Sequence, residues 1–227
     1  RGEYLFVAEG RGGFRAYDVA SIANKGFSER IITAPFSPLG HDTHVDTENA
    51  TCMALATNQP VAPDRNTAAM REANQEQPFL PIYNYAVVTD AVEGLILVDV
   101  NTLADGEFRN NFFERTEFAN GADAWNPDGV LNGAKHINLA GEIAYITADA
   151  GLVVVDLADP KSPKLSAVRP LNGAEASAIQ FRYLWVSDAE GVKLFDVTDM
   201  RNPVAVPEAT YPLADARRIY IARTYAY

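Results

Sequence analysis

The sequence predicts an all-β fold, and more narrowly a β-propeller built from four-stranded blades of about 40 residues. Three observations carry this. One hairpin recurs: residues 151–160 read G-L-V-V-V-D-L-A-D-P, 191–199 G-V-K-L-F-D-V-T-D, 94–100 G-L-I-L-V-D-V and 13–19 G-F-R-A-Y-D-V, each after a shorter strand (Y-I-T-A-D at 145–149, W-V-S-D at 185–188, V-V-T-D at 87–90, Y-L-F-V-A at 4–8). The strand-end aspartates Asp18, Asp99, Asp156 and Asp196 stand 81, 57 and 40 residues apart. The last interval is one blade, 57 is one blade with an insertion, and 81 is two blades or one expanded one. Short apolar runs also alternate with turn residues at even spacing, with almost no helical periodicity. That selects an all-β fold, and the fixed period selects the propeller over a sandwich.

Within each copy a Gly turn leads into a strand of β-branched, aliphatic and aromatic residues, and the terminal Asp is placed to bond the backbone of the next turn. Strands are expected near 4–8, 13–19 and 29–34, with a loop at 20–26. The G-R-G-G of 10–13 reads as a hairpin turn, because a phosphate loop needs a following helix and a Lys-Ser/Thr pair. Residues 39–57 read as a strand, an acidic turn at 46–49 and a second strand. Residues 58–82, bracketed by prolines, break the pattern; Asn66 caps a short helix over 66–75, in a segment that is either a surface excursion or an interaction surface. The hairpin resumes at 85–100, and 112–118 supplies the next strand. Residues 119–133 form a turn-rich loop whose Trp125 either packs back on the domain or offers a platform to a ligand. From 134 onward strands are expected at 135–139, 142–147, 152–157, 164–168, 177–181, 183–187, 192–197 and 204–207, with proline-bounded turns at 159–163 and 199–203. Residues 217–221 and 224–227 open one further unit, and if the ring closes on itself 217–221 pairs with the hairpin of 4–19.

A polypeptide of 227 residues with 48% apolar content can build one β domain over 1–227 with a sizeable core. Its net charge of −11 and the lack of a basic stripe argue against nucleic acid and against an anionic membrane surface. No apolar run is long enough to span a bilayer. The single cysteine, Cys52, rules out an intrachain disulfide, and its apolar strand is expected to bury it as an inert thiol. No C-x-x-C-H is present, so haem belongs here only if it lies elsewhere in a longer protein. The sequence lacks an initiating Met and a signal peptide, and is expected to be a processed product or a piece of something longer.

The stretch 151–163, G-L-V-V-V-D-L-A-D-P-K-S-P, resembles the signature of LVIVD-repeat β-propellers, and 191–203, G-V-K-L-F-D-V-T-D-M-R-N-P, is nearly as good. At 94–100 only the strand matches, because N-T-L-A-D-G-E replaces the proline turn; 13–19 is looser still. The segments 58–82 and 119–133 fall outside the resemblance. It implies an exported, extracellular or periplasmic repeat protein, often one module of a larger cell-surface protein and sometimes found beside multihaem c-type cytochromes. It implies a protein partner or a neighbouring domain, and no shared active site.

The strand before each tyrosine hairpin is the expected lining of a central channel. Aligned there are H-V-D at 44–46, H-I-N at 136–138, A-I-Q at 178–180 and R-I-Y at 218–220. Alternation sends Val45, Ile137, Ile179 and Ile219 into the blades and His44, Asp46, His136, Asn138, Gln180, Arg218 and Tyr220 toward the channel. Two readings are open. Either His44 and His136 share a metal or ligand site, with His41, Asp42 or Asp46 assisting, or the channel is simply wet and polar. The H-D-T-H spacing lacks the helical H-x-x-x-H pattern of hydrolytic zinc sites, and no G-x-S-x-G nucleophile is present. The turn at 46–49 has carboxylates for calcium but no EF-hand pattern. The leading reading is a non-catalytic scaffold. The alternatives are an accessory domain of a multihaem electron-transfer protein and a metal-binding or enzymatic propeller.

Overall fold

A computed structural model describes residues 4–18, 42–56, 68, 81–103, 111–222 and 225–227. They form antiparallel sheets in sequence order. The first holds β1 (Tyr4–Ala8), β2 (Phe14–Asp18) and β3 (His44–Val45), and the second β4 (Ala50–Leu55), β5 (Tyr85–Asp90) and β6 (Gly94–Asp99). The third is a four-stranded meander of β7 (His136–Ala140), β8 (Ile143–Ala148), β9 (Gly151–Asp156) and β10 (Lys164–Arg169). The fourth holds β11 (Ala176–Gln180), β12 (Tyr183–Asp188) and β13 (Gly191–Asp196), with β14 (Val204–Ala205) and β15 (Tyr211–Pro212) both paired to β13. The fifth is the hairpin β16 (Ile221–Ala222) and β17 (Tyr225–Ala226). The fold is all-β, and none of these sheets closes on itself.

The apolar runs are continuous because the middle sheets are covered on both faces. Alternate residues of the second sheet split between two cores: Ala86, Val88, Ile96 and Val98 meet Phe14, Ala16 and Val45 of the first sheet, whereas Val87, Leu95 and Leu97 meet Ile137, Ala144, Ile146, Val153 and Val155 of the third. The third sheet divides likewise, its Ile143, Tyr145, Leu152 and Val154 packing on Leu184, Val186, Phe195 and Val197 of the fourth. Each Val, Leu, Ile or Phe among them removed from water contributes about 1.5–3 kcal/mol. The sheets are therefore layered in sequence order, with β4 beside β7, β7 beside β11 and β11 beside β16.

The repeated aspartates act as their position predicts. Asp99, Asp156 and Asp196 each accept a hydrogen bond through Oδ1 from the backbone two residues on, at Asn101 (2.8 Å), Ala158 (2.9 Å) and Thr198 (2.8 Å). Asp159 and Asp199 do the same for Lys161 and Arg201, both at 3.1 Å, which sets the proline turns. The G-R-G-G segment is the β1–β2 turn, closed by Gly12 N–H to Glu9 O (3.0 Å) and Gly13 N–H to Gly10 O (3.1 Å).

Several expected strands differ. Residues 112–118 build no ladder, because the segment is held by two sheets at once. Phe113 N–H reaches Asp42 O (2.8 Å) while Thr116 N–H reaches Leu97 O on β6 (2.8 Å). Arg115 adds bonds to Glu93 Oε1 (2.7 Å) and to the Asp46 carbonyl (2.7 Å). The strand expected at 204–207 stops at Ala205, and Pro207 opens a 3-10 turn. Of 217–221 only Ile221 is in regular strand, and it pairs with β17 rather than with the β1–β2 hairpin. Trp125 packs back: its backbone exchanges two hydrogen bonds with Leu95 (2.8 and 3.0 Å) and its ring lies against the core between the second and third sheets. Leu131 of the same loop is fully buried. The strand expected at 29–34, the loop at 20–26 and the helix at 66–75 lie outside the described residues, apart from helical Ala68.

Candidate functional site

Strand pairing supplies the frame that relates one sheet to the next. His136 stands opposite Thr147, Ala176 opposite Ser187 and Cys52 opposite Thr89. Those three hydroxyl residues are themselves equivalent, facing Leu152, Val192 and Leu95 on the following strand. Counting back from Ala140, Gln180 and Ala222, each the last paired residue of its strand, adds Arg218 to the row. Thus H-I-N at 136–138 and R-I-Y at 218–220 correspond as expected, but their counterpart on β11 is A-S-A at 176–178. Gln180 belongs two residues further along, beside the turn.

The expected equivalence of His44 and His136 does not hold. His44 lies on β3, the third strand of its sheet, paired to β2; the first strand of the second sheet is β4, whose corresponding residues are C-M-A at 52–54. The H-V-D motif forms the short third strand of the first sheet rather than the first strand of the second, and short apolar runs look alike in sequence. His44 Nε2–H donates to Gly12 O (2.7 Å), and Nε2 lies 3.6 Å from Asp46 Oδ1. The His44 backbone N–H bonds Asp42 Oδ1 (3.1 Å). These three residues therefore gather at the β1–β2 turn, and His41 lies outside the described residues. Among the described residues no three His, Cys, Asp or Glu side chains converge as a metal-binding group.

His136 and Asn138 do another job. Ser177, on the neighbouring strand β11, turns both backbone groups toward β7. Its N–H donates to His136 Nδ1 (3.3 Å), and its carbonyl accepts from Asn138 Nδ2 (2.6 Å), which also reaches Ser177 Oγ (3.0 Å). Two side chains of one sheet thereby satisfy the backbone edge of the next. Lys135 and Glu175, the residues just before β7 and β11, add an ion pair. Thr147 Oγ1 donates to Glu175 O (3.0 Å). With Nδ1 accepting, the His136 proton sits on Nε2. Burial, with the Arg218 charge second, pushes its pKa down to about 4.

Stability is therefore expected to depend on pH. A ring held neutral by the fold stabilises the protein fully above about pH 6.5, the unfolded value, and that stability fades as pH falls toward 4. The loss is expected to be roughly 2 to 3 kcal/mol. Urea unfolding of wild type and His136→Gln across this range checks it: the wild-type curve steepens relative to the variant only below about pH 6.5.

Arg218 and Gln180 line a cavity of about 390 Å³ between the fourth and fifth sheets, together with Trp185, Tyr211, Tyr225 and Tyr227. Tyr220, equivalent to Asn138, stands exposed. Of two relevant residues, one escaped the sequence reading and the other was expected to be enclosed. Ser177 is one, visible only once the register of β11 is known. Cys52 is the other: it is half-buried rather than enclosed, and occupies the His136 position of its own sheet. Among the described residues no helix is long and apolar enough to cross a membrane.

Comparison with known proteins bears on the third sheet. The family model of the LVIVD repeat matches residues 133–168, which span the four strands β7 to β10 almost end to end. No curated protein matches the sequence. The match makes the third sheet similar to an LVIVD repeat, which is consistent with an LVIVD-repeat family.

Proposed function

We propose that this protein is a non-catalytic β-propeller scaffold, or a segment of one, working at the cell surface or in the periplasm by holding a protein partner or a neighbouring domain. The layered order of the sheets, with first strand beside first strand, supports the propeller reading. One observation carries the scaffold reading. The polar side chains best placed for chemistry, His136 and Asn138, are already engaged in tying one sheet to the next. A neutral imidazole offers a metal only its unprotonated nitrogen, and here that lone pair accepts the Ser177 N–H. The exported setting, and any pairing with a multihaem cytochrome, rest on the family resemblance.

Elemental analysis with thermal melts tests the reading. The purified protein is expected to carry no stoichiometric transition metal and to melt at the same temperature with zinc or with a chelator. His136→Gln should lower the melting temperature without altering metal content. One metal per molecule, lost in that variant, would overturn the scaffold in favour of a metal site.

A further inference from the structure

The sequence holds three Asn-Gly pairs, at 120–121, 132–133 and 172–173, and two of them sit in the same repeated element, L-N-G-A, at 131–134 and 171–174. The element does one structural job. Its Gly takes φ +65° at Gly133 and +62° at Gly173, and its Ala is buried at the entrance to the first strand, as Ala134 and Ala174. The Asn carbonyl accepts from the next hairpin turn: Asn132 O from Asp149 N–H (3.0 Å) and Asn172 O from Ala189 N–H (2.9 Å). In the fifth sheet the same place reads L-A-D-A at 213–216, with Asp215 at φ +60° and Ala216 buried.

The three pairs differ in what restrains them. Gly133 N–H donates to Ala91 O (2.8 Å) and Asn132 Oδ1 accepts from Asn126 Nδ2 (2.8 Å). Gly121 N–H donates to Phe118 O (2.8 Å) and Asn120 Oδ1 accepts from Ala122 N–H (3.1 Å). At 172–173 neither the Gly N–H nor the Asn side chain has a partner among the described residues, and both residues are exposed.

We propose that Asn172–Gly173 is a self-modification site, at which the folded protein turns its own asparagine into aspartate and isoaspartate. The Gly173 backbone nitrogen, losing its proton to hydroxide, attacks Asn172 Cγ. A new N–C bond forms, the bond from Cγ to the amide Nδ2 breaks, and ammonia leaves. Water then opens the resulting succinimide. Addition at Cγ gives aspartate, and addition at the former backbone carbonyl gives isoaspartate, so one water is consumed for each ammonia released. A glycine partner suits the attack because no Cβ obstructs it. A nitrogen whose N–H is already donated must first give up that bond, which protects the other two pairs. The isoaspartyl product lengthens the backbone by one carbon and displaces the carbonyl that holds Ala189, so the turn between β12 and β13 loses its anchor.

Peptide mapping by mass spectrometry of the intact folded protein, aged at mildly alkaline and mildly acidic pH, tests this with two internal controls. Conversion at Asn172 is expected to run about tenfold or more ahead of Asn120 and Asn132, since one or two hydrogen bonds must break at the latter. It should accelerate with pH and vanish in Asn172→Gln. In urea all three should convert at similar rates. Equal conversion at the three sites in the folded protein, or conversion at 172 only once urea is present, overturns the proposal.

Discussion

Gly151→Ala is expected to lower the melting temperature by roughly 10 °C, while Gly141→Ala should cost only a small fraction of that. Both glycines have positive φ, +108° and +60°, so both substitutions carry backbone strain. They differ in what surrounds the new methyl. At Gly141 a Cβ meets open space. At Gly151 it lands 2.3 Å from Arg169 O and 2.5 Å from Leu171 N, backbone atoms of the connection that leaves β10. Backbone cannot rotate away as a side chain does, so the strand start or the connection must move, at a cost of about 3–4 kcal/mol. The repeat glycines share this: a Cβ at Gly13 meets Val45 O at 2.1 Å, and one at Gly191 meets Tyr211 O at 2.1 Å. The Gly that opens each motif is thus required by the backbone passing over it as well as by its turn. Thermal melts of the two variants side by side check the prediction, and similar shifts for both would show that φ alone matters.

That comparison also shows which parts of the molecule could be read from sequence. The Gly and the apolar run of each hairpin, and the Asp of the last three, were legible because their causes are local: a positive φ, alternate side chains entering two cores, and a carboxylate bonding the backbone two residues on. The same holds for the turn at 10–13, whereas the packing of Trp125, left open by the sequence, depends on the remote Leu95. What stayed hidden depends on residues far apart. The split of 112–118 between Asp42 and β6 goes with the segment's own Arg115, whose partners, Glu93 and the Asp46 carbonyl, are remote in sequence. The place of His44 required knowing that a two-residue strand pairs backward to β2, and a motif of three residues cannot show that. The alignment of A-I-Q with H-I-N failed by two residues, which preserves the alternation of faces and so leaves no trace in the hydrophobic pattern. Harder to read are the buried alanines ahead of a first strand, Ala134, Ala174 and Ala216, and Ala50, which opens β4.

Asp90→Ala should be among the most damaging single changes on the surface-facing turns, costing on the order of 3–5 kcal/mol. The carboxyl is fully buried at the end of β5. Its Oδ1 accepts from the backbone N–H of Val92 (2.7 Å) and Glu93 (2.9 Å), and its Oδ2 from that of Asn49. Burial alone pushes its pKa up, but these donors outweigh burial and hold it below the ordinary carboxylate range. Removing it strands three N–H groups and unties the turn at 91–93 from the turn at 46–49. Glu93 in turn grips Arg115, so the outer segment loosens as well. Asp90→Asn is expected to fall between, since an amide oxygen can keep the two bonds to Val92 and Glu93 while its NH₂ faces the Asn49 donor. The sign with pH is set by the lowered pKa: the stabilisation is complete above the unfolded carboxylate value and is lost as pH falls through the folded one. The fourth sheet supplies the control. Asp188, also fully buried, bonds Glu190 and Gly191 N–H through Oδ1 (2.9 and 3.1 Å) and has Lys193 Nζ at 2.8 Å from Oδ2. Because an ammonium replaces a distant backbone donor there, Asp188→Ala should destabilise without loosening a neighbouring sheet. Hydrogen exchange separates the two: in Asp90→Ala, protection should fall at Asn49 and Ala50 as well as at the mutated turn, whereas in Asp188→Ala the loss should stay within 188–193. Unchanged protection at Asn49 in the first variant would show that Asp90 serves its own turn alone.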